Sequence, residues 1–524
     1  MFPENSPWPP KPYDLVMAEC EERHAWWVGD PDGLAEFYSG GRTVTATNRF
    51  AAAWQAFWGK QQTTGERPTR VHAPIAADIG RIAASTLFGD PPQILAAEAD
   101  KSLQDRIDAI CNNSTIHAGL LSAAESASML SGVYGRVVWD KTVADEPWID
   151  WVDADRAIPE FRWGRLSAVT FWSELPTDDE HVVWRHLQRY TPGRLFHSVH
   201  RGTTSNLGVT MSLADHESTQ GLATRVGVQG EELPTDRLLA QYIPNMGPNA
   251  QWRNHPKLKP LGRADLDVQV MRLMDEADKV WSSWMRDLDL GKARVFISRQ
   301  LLTNARSGEG ASFDIDQSIF SPLEGDFFNK SELSSVMDAQ QFAIRVDEHA
   351  RTYEGLLRLI IGRVGYSPLT FGLSDEVAQT ATETDAKTRD TAMTRTAKTR
   401  LWAPLAPLMT SMLEVDAKVF GGSRPSELVE VKWQPSKESP RVVAETINLL
   451  SQATAVSTKT KVMMKWPDWD DKQVEDEVKL IDEAGQVDVP AFGGGFGNTE
   501  PADPNADPNA DPAASGNEPP TFGQ

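Results

Sequence analysis

Four histidines lie close together in the sequence and come nearest to a metal site. His181, His186, His197 and His200 fall within 20 residues, and imidazole nitrogens are common zinc ligands. The residues around them are typical of two short strands joined by the turn Thr191-Pro192-Gly193. Side chains alternate between the two faces of a strand, so histidines three or five positions apart point in opposite directions. We therefore predict strand histidines, no metal centre and no cofactor.

A second group of chemically capable side chains lies between Thr380 and Arg400. This segment contains eight threonines and eight charged residues and has no broad apolar stripe. A helix that is polar on nearly all sides is unusual unless it borders water on several faces. Helical spacing places hydroxyls and cations on one face, where they could contact phosphate groups: Thr384, Thr388, Thr391, Arg395 and Lys398, with Lys387 and Arg400 nearby. The alternative is a solvated helix stabilised by ion pairs such as Glu383–Lys387.

Motifs for covalent or nucleotide chemistry are absent from the sequence. Gly59-Lys60 is followed by Gln61 and lacks the upstream glycine of a phosphate-binding loop. There is no Gly-x-Ser-x-Gly and no His-Glu-x-x-His motif. Cys20 and Cys111 are too few for a disulfide framework or a cysteine-rich metal site. We therefore expect a protein that is not an enzyme.

Length and composition bound the class of protein. The chain has 524 residues, of which 40% are hydrophobic, and this is ample to bury a core. Its net charge of −22 argues against a protein that grips nucleic acid, because neutralising phosphates takes clustered lysine and arginine. No stretch approaches 18 uninterrupted apolar residues, and Met1–Asn5 do not resemble a secretory signal. We expect no association with a membrane.

The pattern of elements predicts an α+β fold that is mostly α. Helical spacing dominates residues 13 to 145, short strands follow to about 245, and a helical stripe resumes after Pro260. We expect the acidic residues of the 265–289 helix to form its solvated face. A small insert with strand-like pieces separates that helix from a second one, which we place from Ser331 to about Gly362. Gly365 and Pro368 then break the chain before the threonine-rich helix, which Pro404 and Pro407 should kink.

This order of elements resembles the portal proteins of tailed bacteriophages, in particular those of long-tailed phages. The segment from Pro260 to Leu266, Pro-Leu-Gly-Arg-Ala-Asp-Leu, resembles the lead-in to the family's first stem helix. Thr380-Ala381-Thr382-Glu383 resembles the signature that opens the family's tunnel helix. Gly135–Trp139 and Ala157–Phe161 resemble its wing strands, and the resemblance extends over roughly residues 70 to 480.

The resemblance implies a division of the chain into portal segments. These are a wing (1–260), stem helix 1 (261–290), a small β-containing clip (291–330), stem helix 2 (331–364), a tunnel loop (365–379), a kinked tunnel helix (380–421), a helical crown (422–485) and a disordered acidic tail (486–524).

The resemblance also implies a function. Portal proteins form twelve-membered rings at one capsid vertex, conduct double-stranded DNA during packaging and ejection, and dock the terminase large subunit and the head-tail adaptor. The expected partners are therefore other copies of the chain, those two proteins, a major capsid or scaffold protein, and DNA read without sequence specificity. The expected location is the virion, after assembly in the host cytoplasm.

The same resemblance gives roles to candidate residues. The DNA channel would be lined by Lys387, Arg395, Lys398, Arg400, Thr384, Thr388 and Thr391. The tunnel loop would contain Gly372, Ser374 and Asp375, and the partner-docking clip would contain Arg299, Arg306 and Glu309. Other interpretations are another oligomeric virion protein such as a minor capsid or adaptor protein, a packaging ATPase–nuclease, which the missing phosphate loop argues against, and an unrelated helical scaffold.

Overall fold

The described part of the chain falls into two units, Met1–Lys437 and Glu438–Gln524. The computed structural model describes residues 2–38, 71–97, 100–223, 227, 230–290, 294–298, 320–323, 337–340, 345–373, 381–434, 447–448, 450–452, 456–466, 469 and 471–485. Nearly all of the elements below belong to the first unit, and only the last two helices belong to the second.

Helical residues outnumber strand residues among the described residues, and the presence of both agrees with the predicted α+β class. In chain order they are α1 (Tyr13–Val28), α2 (Pro31–Tyr38), α3 (Ile75–Phe88), α4 (Lys101–Ile110), α5 (Ser114–Leu130), α6 (Glu217–Gln220), α7 (Val268–Leu290), α8 (Val346–Val364), α9 (Ala381–Leu401), α10 (Leu405–Val415), α11 (Thr458–Lys465) and α12 (Asp471–Gly485).

The strands lie mainly between the helices α5 and α7. They are β1 (Gln93–Leu95), β2 (Gly132–Val138), β3 (Trp148–Asp153), β4 (Ala157–Arg162), β5 (Arg165–Leu175), β6 (Val183–Thr191), β7 (Arg194–Thr203), β8 (Asn206–Met211), β9 (Glu231–Glu232), β10 (Ala240–Pro244), β11 (Arg294–Ser298), β12 (Phe320–Leu323), β13 (Met337–Gln340) and β14 (Glu430–Lys432). The short strands that we predicted up to about residue 245 are present.

The largest sheet is an antiparallel meander in the order β4-β5-β6-β7-β8, with β9 paired to β7. The predicted hairpin around Pro192 is confirmed, since Thr191 pairs with Arg194 across the turn. A three-stranded sheet in the order β10-β2-β3 packs against α10, where a Cβ atom at Gly135 would overlap the side chain of Leu408.

Helices α4 and α5 are separate because the chain caps each of them with a side chain. Asp100 accepts hydrogen bonds from the amides of Ser102 and Leu103, and Asn113 accepts one from Ile116. Such caps satisfy amides that the first turn of a helix leaves without partners. The spacing of apolar residues from 96 to 130 is continuous, but the second cap starts a new helix within it.

Helices α7 and α8 form an antiparallel hairpin that is tied by ion pairs at both ends. At one end the carboxylate of Asp267 lies 3.1 Å from Nη2 of Arg363. At the other, Asp287 lies 3.0 Å from Arg345 and from Nε2 of His349. Between the ends, the rings of Trp281 and Tyr353 pack with their centroids 5.2 Å apart. The structure therefore has the predicted order of helix, β-containing insert and helix.

The start of the second helix of this hairpin differs from the prediction. We placed it at Ser331, but α8 begins at Val346. The segment Met337–Gln340 is strand β13, which pairs antiparallel with β11, while β12 pairs parallel on the other side of β11. Backbone pairing with a distant strand overrides the local helical pattern here, so the insert extends at least to Gln340.

The predicted kink after the threonine-rich helix is confirmed. Helix α9 ends at Leu401, and α10 begins at Leu405 directly after Pro404. Most of α10 is buried, and a π-helical turn, Asp416–Phe420, follows it. Asp416 is fully buried and receives two hydrogen bonds from the guanidinium of Arg106, of 2.6 and 2.8 Å.

Strand β14 lies in the first unit, where it pairs with β1. The core of that unit extends from Trp8 to Val429. No helix within the described ranges combines the length and apolar character needed to cross a bilayer.

Candidate functional site

The threonine-rich helix α9 packs its predicted channel face against the rest of the protein. Lys398 is only 1% exposed, and its Nζ lies 2.5 Å from Oδ2 of Asp265, which is 6% exposed. The ammonium also lies 5.6 Å from the centre of the Tyr366 ring. In this subunit Lys398 is therefore buried and paired, and its charge is not exposed to solvent.

Asp265 is the centre of a buried polar cluster that joins four segments of the chain. Ser128 at the end of α5 donates a hydrogen bond of 2.7 Å to Oδ2, and Asn245 after β10 donates one of 2.8 Å to Oδ1. Lys398 from α9 completes the set. We define these four residues, Ser128, Asn245, Asp265 and Lys398, as the Asp265 cluster. Buried polar groups of this kind are tolerated because each has a partner.

The threonines of the same face bind the segment that follows α8. Oγ1 of Thr394 donates a hydrogen bond of 2.5 Å to the carbonyl of Gly365. Oγ1 of Thr391 accepts one of 2.9 Å from the amide of Ser367 and lies 2.8 Å from Oγ1 of Thr370. Thr391, one of the predicted channel residues, and its neighbour Thr394 thus hold the end of α8 against α9.

Arg395 also bonds within the chain. Its Nε donates to the carbonyl of Thr86 at 3.0 Å and its Nη2 to the carbonyl of Gln434 at 2.8 Å. Beside it lies a pocket of about 230 Å³, whose lining includes Thr388, Thr391 and Asp90. Arg395 therefore connects α9 to α3 and to the end of β14.

The opposite face of α9 is exposed. Arg389, Met393, Thr396 and Arg400 follow one another at spacings of four, three and four residues, which places them on one side of a helix. All four are exposed, and Met393 is 61% exposed. Of the predicted channel residues with described side chains, only Arg400 belongs to this stripe, which we call the exposed stripe of α9.

Several predicted site residues lie outside the described part of the chain. Thr384 and Lys387 belong to α9, but the structure describes only their backbone and not their side chains. Ser374 and Asp375 of the tunnel loop, and Arg299, Arg306 and Glu309 of the clip, also lie outside it. Gly372 is described and ends a short 3₁₀ helix, Pro368–Phe371, in the left-handed conformation.

Two of the four histidines, His186 and His197, lie side by side on neighbouring strands. Nε2 of His186 lies 3.0 Å from Nδ1 of His197, and the two rings stack. Burial lowers the pKa of His186 to about 4, and the nearby His197 and Arg136 contribute smaller effects in the same direction. His186 is therefore neutral at physiological pH. Among the described residues no group of three or more potential ligands could hold a metal ion.

The two cysteines are buried and free. Burial raises the pKa of the Cys20 thiol to about 12, and it also raises the pKa of Cys111. A thiol needs its thiolate form to act as a nucleophile. Both side chains are therefore in the unreactive form at neutral pH.

Two acidic residues that we assigned to a solvated face are buried instead. Asp265 belongs to the cluster described above, and Asp278 on α7 is fully buried, with its Oδ2 2.8 Å from Nδ1 of His72. Asp278 also accepts a hydrogen bond from the amide of Ala73. Sequence reasoning missed His72, since it lies in no motif and its partner Asp278 is 206 positions away in the chain.

The sequence profile of the family "Phage portal protein, SPP1 Gp6-like" matches residues 38–490. No curated protein is significantly similar to the sequence.

Among solved structures, "Neck of empty GTA particle computed with C6 symmetry" contains a chain with 14% identity and a TM-score of 0.35, and the match covers 80% of this chain and 99% of that one. "Neck of native GTA particle computed with C12 symmetry" contains one with 11% identity and a TM-score of 0.35, covering 75% and 90%.

The family match spans most of the 524 residues and includes the α7–α8 hairpin, its insert and the threonine-rich helix. The chain therefore belongs to the SPP1 Gp6-like family of phage portal proteins.

Proposed function

We propose that twelve copies of this chain form a ring at one capsid vertex and that double-stranded DNA passes through its axis. The observation that carries this proposal is the family match over residues 38–490. The helix–insert–helix hairpin, closed by ion pairs at both ends, supports it as a stem that carries a small β structure at its tip. Such a ring guides DNA by its shape and performs no bond chemistry.

The exposed stripe of α9 is the surface that we propose for the channel. Cyclic symmetry repeats each side chain once per subunit, so Arg389 and Arg400 would each form a ring of positive charge. Both arginines are exposed and make no ion pair with a described residue. Sparse cationic rings in an acidic body would contact phosphates weakly enough to let DNA slide.

The insert between α7 and α8 is the proposed docking site for the terminase large subunit and, later, for the head-tail adaptor. Arg299, Arg306 and Glu309 remain its candidate contacts. The wing would meet the major capsid or scaffold protein, the tunnel loop would include Gly372, Ser374 and Asp375, and Thr384 and Lys387 remain channel candidates at the start of α9. The ring would act in the virion after assembly in the host cytoplasm.

Electron microscopy tests the ring. Negative-stain images of the purified protein should show rings of about twelve subunits with an axial hole. A protein that stays monomeric at all concentrations and salt conditions would contradict the proposed function.

Phage complementation tests the channel surface. Arg389→Ala with Arg400→Ala should lower the yield of DNA-filled particles while rings still assemble, because the cations lie on the exposed stripe. Arg81→Ala, on α3 and also exposed, is the control and should package normally. If the double variant packages as well as the control, the stripe does not line the channel.

A further inference from the structure

The turn between β4 and β5 presents a tryptophan to solvent in a conformation that tryptophan rarely adopts. Trp163 is 97% exposed, and its φ of 52° lies in the left-handed region that favours glycine. Gly164 follows with φ 80°, so the two residues form the tight turn typical of two-residue hairpins. Arg162 and Arg165 flank the turn, are exposed, and make no ion pair with any described residue.

This basic aromatic tip extends beyond the sheet that carries it. Strand β6 pairs with β5 only from Val169 onward, whereas β4 pairs with β5 as far as Arg165. The first four residues of β5 therefore extend beyond the end of β6, over a length of about 13 Å at the rise of a strand. The tip, Arg162–Arg165, is free on its β6 side to enter another surface.

The other end of β5 has the opposite charge. The strand ends at Leu175 and leads into Asp178, Asp179 and Glu180, which are exposed and make no ion pair with a described residue. The exposed Asp215 and Glu217 lie close by, because His216 between them contacts the carbonyl of Pro176 at 2.9 Å.

The acidic end also has an aromatic surface. Trp184 pairs with Leu175 across the sheet, and its ring packs 5.4 Å from the ring of His216. Arg201 is an exposed cation at this end, and its guanidinium lies over the same tryptophan. The acidic side chains outnumber it.

We propose that the Arg162–Arg165 tip of one copy binds the Asp178–Glu180 loop of the next copy. The inference rests on the proposed ring and specifies a contact within it. The two ends of β5 are about 33 Å apart at the rise of a strand, so one subunit can offer the tip to one neighbour and the loop to the other. A contact between two different patches of identical subunits is what closes a ring.

The chemistry of the two patches fits this arrangement. Tryptophan and arginine are the residues most often found to dominate binding energy at interfaces, where an aromatic anchor is surrounded by polar contacts. Trp163 would pack near Trp184 and Pro176 of the neighbour while the two arginines face its carboxylates. Opposite charges also orient the approach of the two copies.

Charge reversal on each side gives a decisive experiment. The tip variant is Arg162→Glu with Arg165→Glu, and the loop variant is Asp178→Lys with Asp179→Lys. Each alone should lose the ring population in mass photometry because like charges meet. An equal mixture should restore rings in which the two variants alternate. The acidic tip of the tip variant then meets the basic loop of the loop variant, and the basic tip of the loop variant meets the acidic loop of the tip variant. Trp163→Ala should raise the concentration needed for rings by about tenfold.

The controls separate this inference from misfolding and from the proposed function. Lys101→Glu with Arg253→Glu makes the same charge change at exposed positions outside the sheet and should leave rings intact. Melting temperatures of the variants should match that of the unaltered protein. If the unaltered protein forms no ring, the proposed function fails; if it does and the tip variant does too, only the present inference fails. If the folded variants fail to form rings in the mixture, the pairing of tip with loop is also wrong.

Discussion

Lys398 shows at the residue scale how one ion pair can determine the role of a whole helix face. Its partner Asp265 lies 133 positions earlier in the chain, and both groups are shielded from water. A buried charge is tolerated only when it is paired and hydrogen-bonded, and the Asp265 cluster supplies both conditions. The pair therefore fixes α9 against the segment that leads into α7.

We expect Lys398→Met to destabilise the subunit more than any change on the exposed face of α9. The substitution leaves the Asp265 carboxylate buried without its cation, which costs about 3–5 kcal/mol in comparable pairs. The melting temperature or urea midpoint of the purified protein measures the loss. Asp265→Asn combined with Lys398→Met should recover much of it, and Arg400→Met is the matched control. Equal stability of Lys398→Met and the control would show that the pair contributes nothing.

The sequence predicts the grouping of residues on α9 but not their direction. Helical spacing correctly places Thr391, Arg395 and Lys398 on one face, since that depends only on residues per turn. An apolar stripe normally indicates which face of a helix packs against the rest of the subunit, but α9 has no such stripe. The partners that decide it, Asp265, Thr86 and Gln434, are remote in the sequence, so no local pattern could reveal them.

At the scale of elements, the end of α8 is held by a left-handed glycine and a threonine hydroxyl. Gly365 has a φ of 92°, and its amide bonds back to the carbonyls of Ile361 and Gly362. Its own carbonyl accepts the hydrogen bond from Thr394 on α9. This glycine ends the helix and positions the following segment at the same time.

Two glycines near this end should respond differently to the same substitution. Gly365→Ala should destabilise by at least about 1–2 kcal/mol because a Cβ is disfavoured in left-handed backbone, and that Cβ would lie 2.8 Å from Oγ1 of Thr394. Gly362→Ala lies in the helix with open space around it and should be stabilising by about 0.5–1 kcal/mol. Thermal unfolding of both variants checks this. Similar shifts for the two would refute the proposed role of Gly365.

Local signals explain which elements were predictable. Turn residues and alternating side chains indicated the strands from Trp148 to His200, and Pro404 indicated the kink after α9. Strand β13 was not predictable, because Met337–Gln340 acquires its conformation by pairing with β11 some 40 residues away. For β14 the strand itself was predictable, since the sequence indicates a strand from Leu428 to Trp433, but its pairing with β1, more than 300 residues earlier, was not.

At the scale of the whole molecule, the net charge of −22 and the proposed passage of DNA are compatible. An acidic protein does not bind duplex DNA tightly, because binding requires the release of counterions by clustered cations. A conduit must bind DNA weakly, so that the duplex can slide through it. The charge excluded a protein that grips DNA but not one that surrounds it.

We expect a fragment of residues 1–437 to fold like the intact protein. Its core from Trp8 to Val429 is complete, and it retains β14 and the ring contact of Phe88 with Trp433 at 5.4 Å. A fragment of residues 1–421 lacks β14 and the Gln434 carbonyl that Arg395 binds, and should melt at a lower temperature. Calorimetry of both fragments compares them directly. If residues 1–437 do not fold, the boundary at Lys437 is not a limit of a folding unit.

The Asp265 cluster has a consequence for the order in which the chain is made. Ser128, Asn245 and Asp265 leave the ribosome long before Lys398, so the carboxylate waits without its cation until three quarters of the chain has been synthesised. A product that terminates before Lys398 keeps the Asp265 carboxylate without its cation, at a position that is buried in the folded protein. Such a product is unstable from the outset and is exposed to proteolysis, so the buried pair favours chains that have been made at least as far as Lys398.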